Sequence, residues 1–435
     1  MKRYSEYKDS GVKWIGEIPG HWKSIKLHHL ISKIESGTSV NGSTSQYAKS
    51  NEYGVLKTGS VSFRIFDDKQ NKLVEGQEIK RLTCPVVKNT IIVSRMNTPE
   101  LVGSCAIVEK DYPNLYLPDR LWQVYFTKAS NLKFLHWVLN GMYVRTYYAS
   151  ICVGSSSTMQ NISQSQFSDT KIAFPPLPEQ ETIVTYLDSK VAKIDEYISI
   201  AEKKIAALEE LKQTIIAEAV TRGIHKDVPM KDSGVKWIGM IPEHWKRLRY
   251  KDVLRIRDEK VGKRKDLTLL SLSKKGVIIR DLIDGKGKFP KDFESYKIVN
   301  PNNLILCLFD VDETPRTVGI AKNTGMITGA YDIFDVINEN IKFIYYHYQS
   351  IDDVKGFKTL YKGLRKVIPL PSLMGSYIFI PSLEEQQEIV NYIEAKVANI
   401  NQLCQAERSQ IEKLKEYKQR LISDVVTGKV KVTND

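Results

Sequence analysis

Cysteine is scarce in this sequence, with five among 435 residues. No two cysteines form a C-x-x-C pair, which disfavours a zinc ribbon or a disulfide framework and predicts a protein of the reducing cytoplasm. Long apolar runs are also missing, because no stretch approaches the roughly 20 residues that span a membrane. The basic start, Met1 to Gly11, lacks the apolar core of a signal peptide. We therefore expect a cytoplasmic protein without a membrane partner.

The motifs of common catalytic sites are missing as well. The sequence has no G-x-x-x-x-G-K-[ST] phosphate loop, no G-x-G-x-x-G dinucleotide loop and no G-x-S-x-G nucleophile elbow. Pro118-Asp119 could begin a nuclease motif, but no acidic-x-Lys follows at a suitable spacing. The N/D-P-P-Y tetrapeptide of amino-methyltransferases does not occur, and the seven histidines show no metal-ligand spacing. We predict no catalytic residue, no metal site and no cofactor site in this chain.

Positive charge, in contrast, is abundant. Lys and Arg exceed Asp and Glu by 13, while the hydrophobic content of 42% is ordinary for a globular protein. The length is enough for two or three domains with their own cores. A basic excess is typical of proteins that bind a polyanion, most often nucleic acid, although a basic protein without such a partner would show it too.

Two segments of the chain are repeated. Lys8–Lys23 reads KDSGVKWIGEIPGHWK, and Lys231–Lys246 reads KDSGVKWIGMIPEHWK, so the copies differ at two positions. The segment PPLPEQETIVTYLDSKVAKID from Pro175 returns as PSLEEQQEIVNYIEAKVANIN from Pro381. The inserts between the repeats are unlike each other. Two copies of one scaffold with two different inserts suit a protein that reads two different targets.

The second repeat predicts two long helices. No Gly or Pro interrupts the chain from Glu179 to about Arg222, and Pro178 stands where a helix tolerates proline. Apolar residues recur at alternating steps of three and four, as in the a and d positions of a heptad seam. The seam comprises Val184, Leu187, Val191, Ile194, Ile198, Ala201, Ile205, Leu208, Lys212, Ile215 and Ala219 in the first helix, and Val390, Ile393, Val397, Ile400, Cys404, Glu407, Ile411, Leu414, Lys418, Leu421 and Val425 in the second.

Two matched seams in one chain favour an antiparallel coiled coil, although each helix could instead dock separately on its own domain. Lys212 and Lys418 take equivalent seam positions, where a polar residue can fix register. The inserts read as mixed β structure, with strand-like runs such as Val86–Val93 and Leu304–Phe309. Helices are predicted over Leu132–Tyr148 and Ile341–Tyr348. For the four tryptophans of the repeats, Trp14, Trp22, Trp237 and Trp245, packing between insert and scaffold is favoured over base stacking.

The order of the repeats resembles that of the specificity (S) subunits of type I restriction–modification systems, over essentially the whole chain. Both halves open with DSGVKWIG and continue to IP and HW, and the helices open with LPEQ or LEEQ. KNTIIVS from Lys88, VGSCAIV from Val102 and GSSSTMQNI from Gly154 are similar to the family's target-recognition domain. The second insert departs from this pattern, because GLRKV from Gly363 stands where the first has its serine run.

The resemblance implies an α+β fold: two globular β-rich target-recognition domains separated by two long helices that form an antiparallel coiled coil, with a pseudo-twofold internal repeat. The implied domains are 1–174, the first repeat motif and target-recognition domain; 175–223, the central spacer helix; 224–380, the second repeat motif and target-recognition domain; and 381–435, the C-terminal spacer helix. Each target-recognition domain would read one half of a bipartite double-stranded DNA site. The helices would set the spacing and dock modification subunits.

The resemblance also implies the division of labour in the complex. The chain would not be an enzyme by itself. Two modification (methyltransferase) subunits would bring S-adenosylmethionine and methylate adenine. Two restriction (translocase and nuclease) subunits, in systems that have them, would use ATP and Mg. None of these cofactors is expected in this chain.

Basic and polar residues of the inserts are the candidate DNA contacts, because Arg and Asn suit guanine and adenine edges and Lys suits phosphate. In the first insert the candidates are Arg64, Arg95, Asn97, Ser155, Ser156, Ser157 and Thr158. In the second they are Lys274, Lys275, Arg316, Lys362 and Arg365. A solvated loop side chain is an equally good interpretation of each one.

Two other classes of function compete with DNA reading. A self-contained restriction or modification enzyme would need a methyltransferase or nuclease motif, which the sequence lacks. An adaptor that organises partners through its helices would need neither a basic chain nor two divergent β-rich inserts, so DNA binding by the isolated chain separates the adaptor from the reader.

Overall fold

The computed structural model describes residues 2–156, 159–235, 238–264, 266–280, 293–361 and 366–432. The chain divides into two units. The first comprises Met1–Ile200 and Ser409–Asp435, and the second comprises Ala201–Arg408. Each unit contains one β-rich insert, the beginning of one long helix and the end of the other.

The first half of the chain contains fifteen described strands and the first long helix. The elements are β1 (Tyr7–Asp9), β2 (Glu17–Pro19), β3 (Lys23–Lys26), β4 (Ile31–Ser36), β5 (Gly54–Leu56), β6 (Asn71–Leu73), β7 (Pro85–Val86), β8 (Ile91–Ser94), β9 (Met96–Asn97), β10 (Cys105–Ile107), β11 (Tyr112–Tyr116), β12 (Leu121–Phe126), α1 (Leu132–Leu139), α2 (Met142–Ile151), β13 (Val153–Ser156), β14 (Met159–Asn161), α3 (Gln164–Ser168), β15 (Lys171–Phe174) and α4 (Leu177–Arg222). Short 3-10 helices cover Leu27–His29, Thr58–Val61 and Gly76–Arg81.

The second half repeats this plan. Its elements are β16 (Met230–Asp232), β17 (Met240–Pro242), β18 (Lys246–Arg249), α5 (Tyr250–Val253), β19 (Leu254–Arg257), β20 (Leu270–Ser273), β21 (Gly276–Ile279), β22 (Lys297–Val299), β23 (Leu304–Leu306), β24 (Val318–Ile320), β25 (Gly325–Ile327), β26 (Asp332–Val336), α6 (Ile341–Asp353), α7 (Leu370–Gly375), β27 (Tyr377–Ile380) and α8 (Leu383–Val426), with a 3-10 helix over Gly356–Leu360.

The main sheets of the two inserts have the same strand order despite the unlike sequences of the inserts. The order β10-β8-β12-β4 in the first insert has its counterpart in β24-β23-β26-β19 of the second, and both sheets are antiparallel throughout. In the central strand β8, Ile91 and Val93 face the main core of the unit while Ile92 faces a second core. Alternate side chains of a strand point to opposite faces, so a strand buried on both sides reads as a continuous apolar run.

The long helices confirm the predicted seam and its antiparallel pairing. Helix α4 has 46 residues and α8 has 44, and every predicted seam position is buried or partly buried. In the second unit Lys204 contacts Glu407, whereas Lys212, further along α4, contacts Asn401, earlier on α8. In the first unit, Lys418 Nζ lies 2.6 Å from a carboxylate oxygen of Asp195. Asp195 and Asn401 occupy equivalent heptad positions. Lys418 and Lys212 therefore each contact a polar residue at the same heptad position of the facing helix.

The insert ends lie side by side, as expected for an insert enclosed by a repeated scaffold. Strand β3 pairs antiparallel with β15, with Lys23 opposite Phe174. Strand β18 pairs with β27 in the same way, with Lys246 opposite Ile380. Each insert is therefore closed by a two-stranded ribbon at the beginning of its long helix.

In each unit, side chains of the repeated motif form hydrogen bonds to the first turn of the long helix that begins there, α4 in the first unit and α8 in the second. Trp22 Nε1 donates to the carboxylate of Glu179 at 3.0 Å, and His21 Nε2 lies 2.9 Å from the same oxygen. Tyr4 Oη also donates to Glu179. In the second unit Trp245 Nε1 donates to Glu385 at 3.1 Å and His244 Nε2 lies 2.8 Å from it. Because Trp22 and Trp245 are almost fully buried, the predicted packing role of these tryptophans is confirmed.

The adjacent glutamine fixes the entry to the insert helix in each unit. Gln180 Oε1 accepts from Asn131 N at 2.9 Å, and Asn131 caps α1. Gln386 Oε1 accepts from Asn340 N at 2.9 Å, and Asn340 caps α6. The LPEQ and LEEQ motifs thus supply two acceptors each, a carboxylate for the hairpin tryptophan and a buried amide oxygen for the residue that caps the insert helix.

Several local predictions need correction. The helix predicted over Leu132–Tyr148 is two helices, because the chain turns at Asn140 and Gly141 before α2 begins. The strand predicted over Val86–Val93 breaks at Asn89, whose φ of 59° belongs to a turn. The strand predicted over Leu304–Phe309 ends at Leu306, and helix α6 continues to Asp353, beyond the predicted Tyr348. Trp237 lies outside the described residues.

Candidate nucleic-acid interface

In the first unit, one small sheet collects several of the predicted contacts. Strand β9 pairs with β14, and β14 pairs with β13, so Asn97 shares a three-stranded sheet with Ser155 and Ser156. Arg95 immediately precedes β9, and its carbonyl oxygen accepts from Ile162 N at 3.0 Å. The sheet therefore brings together four residues that are up to 61 positions apart in the sequence. Ser157 and Thr158 lie outside the described residues, as do the side chains of Ser155 and Ser156.

Packing orients the side chains of Arg95 and Asn97. The Arg95 guanidinium lies over the Trp122 ring, 5.8 Å from its centroid, which holds a cation on a rigid aromatic face. The Asn97 amide donates to Ser94 Oγ at 3.3 Å and accepts from Thr98 N at 2.9 Å. Both side chains are partly exposed. An arginine and an asparagine placed beside each other in this way can donate to purine edges.

The loop that carries these residues depends on a glycine. Gly103 has a φ of +75°, and a Cβ placed there would lie 2.3 Å from Tyr148 Cδ2. The Arg145 guanidinium also holds the loop by donating to the backbone carbonyl oxygens of Val102 and Glu100, each at 2.5 Å. Gly103 is therefore needed for the shape of the loop, independently of any ligand.

Arg64 lies elsewhere in the unit. Its φ is +64°, and its carbonyl oxygen is 3.0 Å from His136 Nε2 on α1. It lines a cavity of about 390 Å³ together with Asp188, Asp195 and Lys418 of the long helices, and it is the only described candidate in that lining. Burial lowers the pKa of Arg64 from its ordinary value. The structure thus separates Arg64 from Arg95 and Asn97 and gives it scaffold neighbours.

The candidates of the second insert fall into different environments. Lys274 and Lys275 are exposed at the tip of the β20–β21 hairpin. Arg316 is 16% exposed and its guanidinium lies 3.2 Å from Asp352 and 2.9 Å from Asp353. These contacts make Arg316 part of a buried ion-pair cluster. Lys362 and Arg365 lie outside the described residues.

The sequence analysis missed the counterpart of the Arg95 loop in the second unit. Because β23 and β24 correspond to β8 and β10, the connection over 307–317 corresponds to the connection over 95–104. Phe309 in this loop pairs with Val367, as β9 pairs with β14. The signal that could have found it is the Thr-Pro dipeptide present in both loops, at Thr98 and at Thr314.

The second loop carries carboxylates where the first has uncharged side chains, because Asp312 and Glu313 precede Thr314 as Met96 and Asn97 precede Thr98. Asp312 accepts from Tyr361 Oη at 2.9 Å and lies 3.3 Å from Lys366 Nζ. Lys366 also contacts Glu313. The hydrogen bond from Tyr361 and then the neighbouring lysine hold the pKa of Asp312 below its usual range. Ionised carboxylates at such a position can accept from an exocyclic amino group, whereas they repel phosphate.

Two kinds of feature are absent from the described residues, a metal-binding cluster and a membrane-spanning helix. Among the described residues, no group of three or more His, Cys, Asp or Glu side chains could hold a metal ion. No helix among the residues that the structure describes is long and apolar enough to cross a bilayer.

Known proteins share this arrangement. Residues 19–210 match the family described as "Type I restriction modification DNA specificity domain". The chain is 23% identical to the putative type I restriction enzyme MjaX specificity subunit of Methanocaldococcus jannaschii, covering 98% of each chain. The HsdS subunit from Thermoanaerobacter tengcongensis has the same fold, with a TM-score of 0.51, 17% identity, and coverage of 95% of this chain and 98% of that one. A chain from a structure on complex assembly and conformational transition of the type I R-M system gives a TM-score of 0.68 at 15% identity, with coverage of 94% and 98%.

Proposed function

We propose that this chain, which belongs to the family of type I restriction–modification specificity subunits, reads a bipartite double-stranded DNA site, with one half-site for each unit. The observation that carries the proposal is the repetition of one insert fold with two different reading loops. The first loop presents Arg95 and Asn97, and the second presents Asp312 and Glu313. Two readers on equivalent scaffolds but with different side chains are what a site with two unlike halves requires.

The helices are proposed to set the spacer between the half-sites. A coiled coil is stiff, and its length is fixed by the number of residues at about 1.5 Å each. Half-sites about one helical turn of DNA apart, near 34 Å, present their major grooves on the same face. Helices of 46 and 44 residues have enough length for this role.

Catalysis is assigned to partner subunits. We propose that two modification subunits, one for each scaffold copy, bring S-adenosylmethionine and methylate adenine in a two-to-one complex. Restriction subunits, in a system that has them, would add ATP- and Mg-dependent translocation and cleavage. We propose the cytoplasm as the place of action, because the target is genomic DNA.

Exchange of one insert tests the proposal. The segment Ser24–Phe174 is replaced by the corresponding insert of a relative, and the chimera is expressed with the modification subunit. Methylome sequencing should show a changed first half-site and an unchanged second half-site. A folded chimera that alters both halves contradicts two independent readers, and methylation by the chain alone contradicts the division of labour.

Point substitutions test the reading loop itself. Arg95→Ala should weaken binding and relax the preference at one base pair, at a cost of about 1–3 kcal/mol for a bidentate contact. Arg64→Ala is the matched control, because Arg64 lines the cavity beside the scaffold helices. An unchanged sequence preference in Arg95→Ala would remove Arg95 from the interface.

A further inference from the structure

The first reading loop, over 95–104, is bound by a basic side chain of an insert helix. The Arg145 guanidinium on α2 donates to the backbone carbonyl oxygens of Glu100 and Val102, each at 2.5 Å. A guanidinium is planar and its donors have fixed directions, so two bonds from one such group fix both the position and the orientation of the backbone they reach. Arg145 is half-buried, and burial lowers its pKa from the ordinary value.

The second reading loop is bound by a cation from the same part of the fold. Lys355 Nζ donates to the backbone carbonyl oxygen of Thr314 at 2.7 Å. Arg145 lies 14 positions after the helix cap Asn131, and Lys355 lies 15 positions after the equivalent cap Asn340. Both loops therefore have backbone carbonyl groups bound by a long basic side chain that the repeated fold supplies at an equivalent place.

A buried carboxylate holds Lys355 in this position. Asp352, which is 3% exposed, accepts from Lys355 Nζ at 2.8 Å. It also accepts from Thr317 N at 3.0 Å and from Thr317 Oγ1 at 2.7 Å, so the same carboxylate binds the end of the loop. Charged groups in a buried cluster are held firmly, because the loss of one partner leaves the other charge unpaired. Lys355 is thus oriented toward the loop by its own helix.

Hydrogen bonds within each loop connect the bound carbonyl groups to the reading side chains. In the first loop, Val102 N donates to Thr98 O at 2.8 Å, and Thr98 N donates to Asn97 Oδ1 at 2.9 Å. In the second loop, Glu313 directly precedes Thr314, whose carbonyl oxygen Lys355 binds. A shift of the bound backbone would therefore move the side chains that face the DNA.

The basic side chains contact the loops without using the residues that differ between them. Arg145 and Lys355 bind backbone carbonyl oxygens, which any sequence provides. The bonds do not involve the proposed reading side chains, which are Arg95, Asn97, Asp312 and Glu313. A contact of this kind can keep the shape of a loop while its reading side chains change.

We propose that Arg145 and Lys355 are positioning residues for DNA reading, each holding the backbone of one reading loop so that its side chains meet the base edges. This inference rests on the proposed function, because it takes the two loops as the readers. It adds two residues that each govern the recognition of one half-site by acting through the loop.

Removal of each cation from the full chain, in complex with its modification subunit, tests the inference. The methylome of the parent complex first gives the two half-sites, and affinity is then measured on duplexes with single base-pair changes in either half. Arg145→Met keeps an apolar stem without donors, and should reduce discrimination at one or more base pairs of the first half-site by about 10-fold, with the second unchanged. Lys355→Met should have the converse effect. Arg145→Lys keeps a charged donor and should recover most of the discrimination.

Matched controls separate positioning from a loss of charge or of stability. Lys133→Met and Lys342→Met remove a cation at equivalent positions of α1 and α6, where each lysine forms an ion pair with a long helix. Both controls should leave the two half-sites unchanged. Val144→Ala removes apolar volume from the core beside Arg145, and should lower stability without a change in base preference.

The outcomes distinguish the inference from the proposed function. Unchanged discrimination in folded Arg145→Met and Lys355→Met complexes overturns the inference, and so does a loss that Val144→Ala reproduces. A loss in both half-sites from either single variant also overturns it, because each cation binds one loop. If Arg145→Met does not fold, Lys355→Met decides the question, since the Lys355 side chain is 24% exposed. If the parent complex methylates no bipartite site, the proposed function itself fails.

Discussion

Replacement of Glu179 by glutamine is the most informative perturbation of the scaffold, because the second unit supplies an internal reference. Glu179 accepts hydrogen bonds from buried Trp22, from half-buried Tyr4 and from exposed His21. Glu385 has equivalents of the tryptophan and the histidine, but Asp227 stands where Tyr4 would recur. The difference between the two substitutions therefore reports the contribution of the Tyr4 contact.

The magnitudes follow from the kinds of hydrogen bond. A bond to a charged acceptor contributes about 1.5–3 kcal/mol and a neutral one about 0.5–1.5, so neutralisation costs about 1 kcal/mol for each buried donor. The exposed histidine contacts contribute little on either side. We expect Glu179→Gln to lower the free energy of unfolding by about 2 kcal/mol and Glu385→Gln by about 1 kcal/mol. The loss of a negative charge near a helix start adds equally to both.

Urea unfolding followed by tryptophan fluorescence measures the loss, and peptide-resolved hydrogen exchange assigns it to one unit. Glu181→Gln, on an exposed face of the same turn, is the control and should change stability by less than about 0.5 kcal/mol. Trp22→Phe keeps the ring packing and removes the donor, so its cost should be less than additive with Glu179→Gln. A Glu179→Gln protein as stable as the parent, or a greater cost in Glu385→Gln, would refute the reasoning.

Three further predictions concern the spacer, the hairpin and acid stability. Insertion of one heptad into each helix beside the facing pair Glu209 and Arg408 keeps the seam in register and adds about 10.5 Å to the helix pair. Methylation mapping should then show a DNA spacer about three base pairs longer. An unchanged spacer in an active complex counts against the spacer role of the helices. Lys274→Gln with Lys275→Gln should reduce the slope of log affinity against log salt by up to about 1.8 if both lysines contact phosphate, whereas an unchanged slope removes the hairpin tip from the interface. Burial lowers the pKa of His347 to about 4 from 6.5. Its contribution to stability is complete above pH 6.5 and is lost as the pH falls towards 4, so the free energy of unfolding should fall by about 2 kcal/mol between pH 7 and pH 5. If the His347→Gln variant shows the same dependence of stability on pH, His347 is not its origin.

The long helices could be predicted from the sequence because their pattern is local and repeated. A seam such as Val184, Leu187, Val191 and Ile194 indicates which side of a helix is buried, and two matching seams in one chain favour an antiparallel pair. The predicted ends lie within two residues of the observed Leu177 and Arg222. The packing role of Trp22 could also be predicted, whereas its partner Glu179 could not, since 157 residues separate them.

The inserts could not be predicted to the same depth. Their common strand order depends on contacts between segments that are distant in the sequence. Because the two insert sequences have almost no residues in common, comparing them does not reveal which strands pair. Arg316 shows the consequence at the candidate site. Its sequence context is that of an exposed polar loop, yet Asp352 and Asp353 on α6 neutralise it. Only the fold places those carboxylates beside it.

The discontinuity of the first unit has a consequence for synthesis on the ribosome. Its core includes Leu421, Ile422, Val425 and Val426, which pack with residues of the first 200. At about 5–20 residues per second, the remaining 235 residues take roughly 12–47 s to emerge after Ile200. During that interval the apolar start of α4 has no seam partner, while the contiguous second unit can fold as soon as it is complete. The nascent first unit therefore leaves part of its apolar core uncovered for longer than the second unit does.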